Sequence, residues 1–142
     1  MKITVPCKIT FSPTDKCWYV ESPGLYNGIL TDGDTLEQAK EMASEAVSGI
    51  IAVNLKHDIS FSIPACVNIP DYYDIPLVPE LAFAFWLRST RKNYNMTLSD
   101  VAERLGVKYQ VYQKLENPKT ANPTLKTLKK LERIFNTNLI SI

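Results

Sequence analysis

The chain has 142 residues, of which 45% are hydrophobic, 22% charged and 10% aromatic, a composition typical of folded, water-soluble domains. Its longest uninterrupted apolar run, Leu81 to Leu87, is far shorter than the ~20 residues of a membrane-spanning helix. The first ten residues alternate apolar and polar side chains and lack the apolar stretch of a secretory signal. Three cysteines, an odd number at irregular spacing, and one histidine argue against a disulfide framework and against a structural zinc site, whose four ligands normally come at paired spacings. We therefore expect a reduced, cytoplasmic protein with no metal, cofactor or membrane segment.

The net charge of +1 conceals an uneven distribution along the chain. Residues 1–79 contain five Lys or Arg against ten Asp or Glu, whereas residues 80–142 contain eleven against five. Such an asymmetry is typical of two modules with different partners. The basic module is a candidate for binding a polyanion.

A proline-rich stretch separates the two halves. Its prolines are Pro64, Pro70, Pro76 and Pro79. Because proline fixes φ and lacks a backbone N–H, we expect an extended linker or an arm that packs on a neighbour. The sequence thus predicts a domain at 1–64, a linker at 65–79 and a second domain at 80–142.

The N-terminal half has the alternating pattern of β-strands. Apolar residues at every second position predict strands near residues 3–11 and 59–63, and short apolar runs that follow turn residues predict two more near residues 18–20 and 28–31. Pro6, within the first of these, predicts an edge position or a bulge. The last predicted strand follows a long helix, so the expected order is β-β-β-α-β.

The helix of this half has a capping signal at its start. Asp34 with Glu37, or Thr35 with Gln38, fits the spacing of a capping box. Apolar residues then recur at three- and four-residue intervals over residues 36–51. One helix is therefore expected to cover one face of a small sheet, which places the chain in the α+β class.

The C-terminal half is helical by pattern. Helices are predicted over residues 80–91, from Thr97 to Gly106, over residues 108–116 and from Thr124 onward. Two helices joined by a short turn that contains glycine form a helix-turn-helix. The second helix of that motif enters the DNA major groove.

A set of residues at characteristic spacing runs through this half. They are Thr97, Val101, Ala102, Leu105, Gly106, Val107, Tyr112, Leu115, Glu116, Asn117, Pro123 and Leu128. In order and spacing, the segment resembles the repressor-type (Xre/Cro-like) helix-turn-helix family. Two positions depart from the family pattern. Leu98 replaces a common glutamine, which removes a candidate phosphate contact, and Pro118 replaces a common glycine, which predicts a different end for the third helix.

The third helix of this half is the predicted DNA reader. If Val111, Tyr112 and Leu115 face the core, the opposite side carries Lys108, Tyr109, Gln110, Gln113 and Lys114. Glutamine pairs with adenine, lysine donates to guanine, and tyrosine packs on a thymine methyl. The resemblance implies that Tyr109, Gln110 and Lys114 occupy the principal base-reading positions. Lys119 and Thr120 are expected to lie over phosphates. A helix-turn-helix used only for dimerisation is the alternative.

The first helix of the basic half carries apolar side chains on two sides. Phe83 and Leu87 align with core positions, whereas Leu81 and Phe85 lie on the opposite side, flanked by Trp86. A surface helix is not apolar all round, so we expect another subunit or the N-terminal domain to cover the second side. Because helix-turn-helix proteins read paired half-sites as twofold dimers, we predict a homodimer or a dimer of dimers.

The acidic half carries a second recognisable pattern. It consists of Asp32, Gly33, Asp34, Thr35, Leu36 and Glu37, then Ala39, Ala43 and Ala46 on the helix, and Pro64 after the last predicted strand. Over residues 1–64 the chain resembles the HicB family of antitoxins. The resemblance implies a partial ribonuclease H-like fold that binds and inhibits a small HicA-type toxin, an mRNA-cleaving ribonuclease. It also implies that the helix-turn-helix represses the pair's own operon.

A toxin-binding surface would belong to the acidic half. Its candidates are acids and adjacent tyrosines: Asp15, Glu21, Asp32, Asp71, Tyr72, Tyr73 and Asp74. An acidic module suits the RNA-binding surface of such a toxin. Scattered, solvated acids are the alternative interpretation.

The sequence does not favour catalysis. A ribonuclease H-like active site needs several carboxylates around two metal ions, and residues 2–11 contain no acid. His57 has no sequence partner for acid–base chemistry, and Cys7, Cys17 and Cys66 lack the setting of a nucleophile. We predict no catalytic residue and no small-molecule substrate. The alternative function is a stand-alone helix-turn-helix repressor whose N-terminal domain senses a ligand or a protein.

Overall fold

The structure, a computed structural model, describes residues 3–59, 61–65 and 67–140. The chain divides into two compact units, one over residues 2–78 and one over residues 79–142. Cys66 lies outside the described residues.

The first unit is an antiparallel sheet with one helix across it. Within the described residues its elements are β1 (Thr4–Ser12), β2 (Cys17–Glu21), β3 (Ile29–Gly33), α1 (Leu36–Lys56) and β4 (Tyr72–Pro76). The strand order is β3-β2-β1-β4, and every neighbouring pair is antiparallel. The α+β class and the β-β-β-α-β order are as predicted.

The position of the fourth strand was predicted wrongly. The described residues of the 59–63 segment belong to no strand. β4 lies instead within the predicted linker 65–79 and pairs with β1 from Thr4↔Pro76 to Lys8↔Tyr72. An edge strand tolerates proline, so a proline-rich stretch can still complete a sheet. Alternation in a short apolar run is the weaker signal, because it also fits an irregular segment.

β1 is a central strand, so Pro6 does not mark an edge strand. The N–H of Ile9 donates to the Asp71 carbonyl on the β4 side at 2.8 Å. Alternate residues of an antiparallel ladder bond to opposite neighbours, so the Pro6 nitrogen faces the β2 side. The β1–β2 ladder begins only at Lys8↔Glu21, beyond Pro6. The missing N–H of Pro6 therefore costs no ladder hydrogen bond.

The start of α1 decides between the two capping alternatives. The Thr35 hydroxyl accepts from the Gln38 N–H at 3.0 Å, and the Gln38 side chain accepts from the Asp34 N–H at 2.6 Å. Thr35 is therefore the N-cap. Gly33, at the end of β3, lies so close to this turn that a Cβ there would be 2.4 Å from the backbone nitrogen of Ala39.

The core of the first unit lies between the sheet and α1. The sheet contributes Val5, Cys7, Ile9, Val20 and Ile75, and the helix contributes Ala39, Ala43, Val47 and Ile51. All of the helix residues in this set belong to the predicted apolar stripe. The small alanines bring α1 close to the sheet, and the opposite face of the sheet carries no helix of this unit within the described residues.

The second unit contains the four predicted helices. They are α2 (Pro79–Asn93), α3 (Leu98–Leu105), α4 (Tyr109–Leu115) and α5 (Leu125–Phe135). Ten buried residues of this unit form one core: Phe83, Ala84, Leu87, Val101, Ala102, Leu105, Tyr112, Ala121, Leu131 and Phe135. In the part of the chain that the structure describes, no helix is long and apolar enough to cross a membrane.

Candidate nucleic-acid interface

α3 is capped at both of its ends. The Thr97 hydroxyl accepts from the Asp100 N–H at 3.1 Å, and the Asp100 carboxylate accepts from the Thr97 N–H at 2.8 Å. The hydrogen bond from the Thr97 N–H is the largest cause of the lowered pKa of the Asp100 carboxylate. At the other end, Gly106 adopts the left-handed conformation (φ 73°, ψ 31°), which glycine reaches without strain. The chain therefore passes from α3 to α4 in three residues.

The outward face of α4 is mostly polar. Gln110, Gln113 and Lys114 are exposed, and Tyr109 is 40% exposed. Lys108 precedes them as the N-cap residue and makes no side-chain capping hydrogen bond. All five predicted DNA-reading residues of this helix region therefore lie on the surface.

Val111 does not face the core, contrary to the prediction. It is 48% exposed, whereas Tyr112 is fully buried and Leu115 packs partly against the core. Neighbouring residues on a helix are ~100° apart, so Val111 lies well away from Tyr112. Tyr112 and Leu115 fill the buried arc of this seven-residue helix, which leaves Val111 at the outer edge.

A buried charged network holds the end of α4 against α2. Arg91 Nε donates to Glu116 Oε2 at 2.6 Å, and Arg91 Nη2 donates to Glu116 Oε1 at 3.1 Å. The Tyr112 hydroxyl donates to the same Glu116 Oε2 at 2.5 Å, and Arg91 Nη1 donates to the Met96 carbonyl at 2.9 Å. The Arg91 and Glu116 side chains are only 12% and 8% exposed.

The electrostatics keep both donors of this network protonated. The hydrogen bond to Glu116 is the largest contribution to the raised pKa of Arg91, against the opposing effect of burial. Burial, followed by the hydrogen bond to Glu116, raises the pKa of Tyr112. The Glu116 carboxylate thus accepts three hydrogen bonds, two from Arg91 and one from the inner face of α4. This arrangement fixes the rotation of α4 about its axis and so determines which side chains point outward.

Sequence reasoning missed this network. Glu116 belongs to the pattern of the helix-turn-helix resemblance, but Arg91 lies 25 residues earlier. No local spacing links two residues so far apart. Only the helix packing brings them together.

The two residues predicted to contact phosphates after α4 differ in whether their side chains are available to do so. The Asn117 side chain accepts from the Lys119 N–H at 3.0 Å, and the Lys119 side chain is exposed. The Thr120 hydroxyl donates to the Lys114 carbonyl at 2.7 Å, which satisfies one of the free carbonyls at the end of α4. A hydroxyl has a single proton, so Thr120 would have to give up this bond to donate to a phosphate. α4 ends at Glu116 without a left-handed residue, as the proline at 118 leads one to expect.

The predicted dimer residues on α2 differ in burial. Leu81 is 1% exposed within a single chain. Phe85 and Trp86 are half-buried, and Trp86 packs 6.2 Å from the rings of both Phe83 and Phe135. Trp86 therefore contributes to the core of its own unit. The interface assigned to Leu81, Phe85 and Trp86 stays a prediction.

Most of the predicted toxin-binding residues converge on the helix-free face of the sheet. Val20 and Ile75 are buried beneath α1, so by alternation Tyr19, Glu21, Tyr72 and Asp74 point to the other face. Asp32 lies opposite Tyr19 in the β2–β3 ladder and shares that face. Asp15 reaches it by accepting a hydrogen bond from the Tyr19 hydroxyl at 2.7 Å. We call Asp15, Tyr19, Glu21, Asp32, Tyr72 and Asp74 the open sheet face.

Two candidates lie elsewhere. Tyr73 points toward α1, where the Lys40 ammonium lies 4.7 Å from the centre of its ring. Asp71 precedes β4, with φ of 70° and its carbonyl bonded to Ile9. Lys8 of β1 lies opposite Glu21, so a basic residue borders the open sheet face.

Comparison with known proteins bears on the second unit. Residues 87–142 match the HTH_3 family model, described as helix-turn-helix. The C-terminal unit contains a helix-turn-helix domain. This match and the α3–turn–α4 geometry together support a DNA-binding transcription regulator, in agreement with the sequence prediction. No curated protein matches the chain.

Proposed function

We propose that the protein is a HicB-like antitoxin that represses its own operon. Its helix-turn-helix domain binds operator DNA through α4, and its N-terminal domain binds and inhibits a small HicA-type mRNA-cleaving toxin. The observation that carries the DNA-binding half is the polar outward face of α4, held in place by the buried Arg91–Glu116–Tyr112 network.

The DNA-binding half assigns different tasks to different residues. Gln110 and Lys114 have the length and the donors to read base edges from the major groove, with Tyr109 beside them. Lys119 contacts the phosphate backbone, which fixes the register without carrying sequence information. Thr120 supports the end of α4 through its bond to the Lys114 carbonyl. The protein acts in the cytoplasm as a homodimer or a dimer of dimers, since paired half-sites require a twofold reader.

The toxin-binding half is supported by the resemblance of residues 1–64 and by the open sheet face. Four of its residues are acids and two are tyrosines, a combination suited to a basic protein surface that normally binds RNA. The partial ribonuclease H-like fold rests on the resemblance alone. The open sheet face is the surface on which we place the toxin.

Operator binding is tested first on the full chain. A DNA site would be selected from a random library, and affinities measured by fluorescence anisotropy over a range of salt concentrations. Lys119→Ala should weaken binding to all sequences and reduce the salt slope by about 1. Gln110→Ala should relax preference at one base position, at a cost of about 1–3 kcal/mol. Lys56→Ala, at the exposed end of α1, is the matched control. Equal losses for Lys119→Ala and Gln110→Ala on random DNA would contradict the base-reading assignment.

Toxin binding is tested with the small protein encoded beside this gene. The full chain should copurify with it and abolish its ribonuclease activity. Asp32→Asn combined with Asp74→Asn should weaken the complex, because both acids are exposed on the open sheet face. Glu41→Gln with Glu45→Gln, exposed on α1, removes the same charge from the other side of the sheet. If no complex forms while specific DNA binding is intact, the alternative holds: a stand-alone repressor whose N-terminal domain senses something else.

A further inference from the structure

The outer edge of α4 carries an apolar side chain that the fold does not use. Val111 is 48% exposed, next to the exposed Gln110 and one turn before Lys114. Valine is a weaker helix former than the straight-chain polar residues around it. Because its methyl groups remain in contact with water, they contribute no burial free energy to the stability of the fold. Val111 is therefore a candidate for contact with a partner rather than for packing.

The major groove offers one apolar group to such a side chain. Thymine displays its C5-methyl there, whereas cytosine displays an amino donor and no methyl. The β-branched valine side chain is stiff at χ1, so its methyl groups are held in place before binding. Gln110 and Lys114 read polar atoms by hydrogen bonds, so Val111 adds a kind of discrimination that these two residues do not supply.

We propose that Val111 is a specificity-determining residue that packs on the C5-methyl of one operator thymine. This inference rests on the proposed binding of operator DNA through α4. Burial of one methyl group is worth ~0.8 kcal/mol, which corresponds to about a fourfold change in affinity. The requirement for thymine at that position should therefore be modest and located beside the base that Gln110 or Lys114 reads.

The test is a double-mutant cycle between protein and DNA. Operator DNA selected from a random library by the full chain would be resynthesised with each thymine in turn replaced by deoxyuridine, which removes only the methyl group. One position should lose about fourfold in affinity with the unchanged protein. Val111→Ala should lose a similar factor on thymine DNA and lose nothing further on deoxyuridine at that position. Val53→Ala, at a valine 53% exposed on α1, is the control and should leave every affinity unchanged.

Several results would overturn the proposal. Additive losses for Val111→Ala and every deoxyuridine would mean that Val111 touches no methyl. If the loss on deoxyuridine DNA were instead non-additive with Tyr109→Ala, the methyl contact would be assigned to Tyr109. In both cases specific binding is intact, so the proposed function survives. If the full chain enriches no DNA sequence, the DNA-binding proposal fails, and the role of Val111 fails with it. Melting temperatures of Val111→Ala and the unchanged protein should agree, since an exposed side chain is removed.

Discussion

The Arg91–Glu116–Tyr112 network gives the sharpest prediction for stability. Arg91→Met keeps most of the side-chain length but leaves the Glu116 carboxylate, 8% exposed, with its Tyr112 bond and no positive partner. Breaking a buried ion pair from one side costs about 3–5 kcal/mol. A domain of about sixty residues is stabilised by only about 3–9 kcal/mol in total. Arg91→Met should therefore remove a third or more of the free energy of unfolding of the helix-turn-helix unit.

The assay is thermal unfolding of the full chain followed by circular dichroism at 222 nm, a wavelength that reports helix. At ~4–8 °C per kcal/mol for a domain of this size, the helical transition should fall by at least about 12 °C. Arg133→Met removes an exposed arginine from α5 and should change stability by no more than about 0.5 kcal/mol.

A variant that changes both Arg91 and Glu116 distinguishes the cost of the lost hydrogen bonds from the cost of leaving a buried charge unpaired. Arg91→Met with Glu116→Gln should be more stable than Arg91→Met alone, because no buried charge is left unpaired. If Arg91→Met were no more destabilising than Arg133→Met, the network would not stabilise the domain. The account of how α4 is held would then be wrong.

Further predictions concern two glycines, the buried thiol and the capping box of α3. Gly33→Ala should destabilise the first unit by about 1–3 kcal/mol in urea unfolding, because the new Cβ would lie 2.4 Å from the backbone of α1. Gly49→Ala, where a Cβ meets nothing within 4 Å on a helix, should instead stabilise it by about 0.5–1 kcal/mol. Burial raises the pKa of Cys7 to about 11, so in the native protein at pH 8 iodoacetamide should modify the half-buried Cys17 far faster, as read by peptide mass spectrometry. The lowered pKa of Asp100 means that its capping box stabilises the helix-turn-helix unit above about pH 4, and that this contribution is lost as the pH falls further. Asp100→Asn should flatten that acid dependence in melting curves, and an unchanged pH profile would contradict the assignment.

Local signals predicted the helices well because caps act over three or four residues. α3 begins after Thr97 and ends before Gly106, as predicted. The start of α1 was narrowed to two alternatives, and the geometry of Thr35 and Gln38 selects one. Strand pairing is not local in this sense. β4 pairs with β1, more than sixty residues earlier in the chain, and no sequence signal near residues 72–76 identifies β1 as the pairing strand.

The candidate sites show the same division between local and long-range information. Sequence placed the polar residues of α4 on the surface correctly, because helical periodicity alone decides that. It misplaced Val111, since an apolar residue is expected inside unless the buried arc is known to be filled, and that depends on how Tyr112 is held. The acids of the open sheet face could be named one by one. That they share one face, however, depends on strand register, which pairs Asp32 with Tyr19 and Asp74 with Pro6.

The two errors on α4 and β4 bear directly on function. Had Val111 been buried, the apolar contact of this face of α4 with thymine would depend on Tyr109. With Val111 outside, the same short helix presents donors, acceptors and an apolar contact, which are the three kinds of chemistry that distinguish base pairs in the major groove. Had residues 72–76 been a linker, Asp74 and Tyr72 would not share a face of the sheet with Glu21 and Asp32. Because β4 pairs with β1, the backbone that carries these side chains is ordered before any partner binds, so binding there costs little backbone entropy.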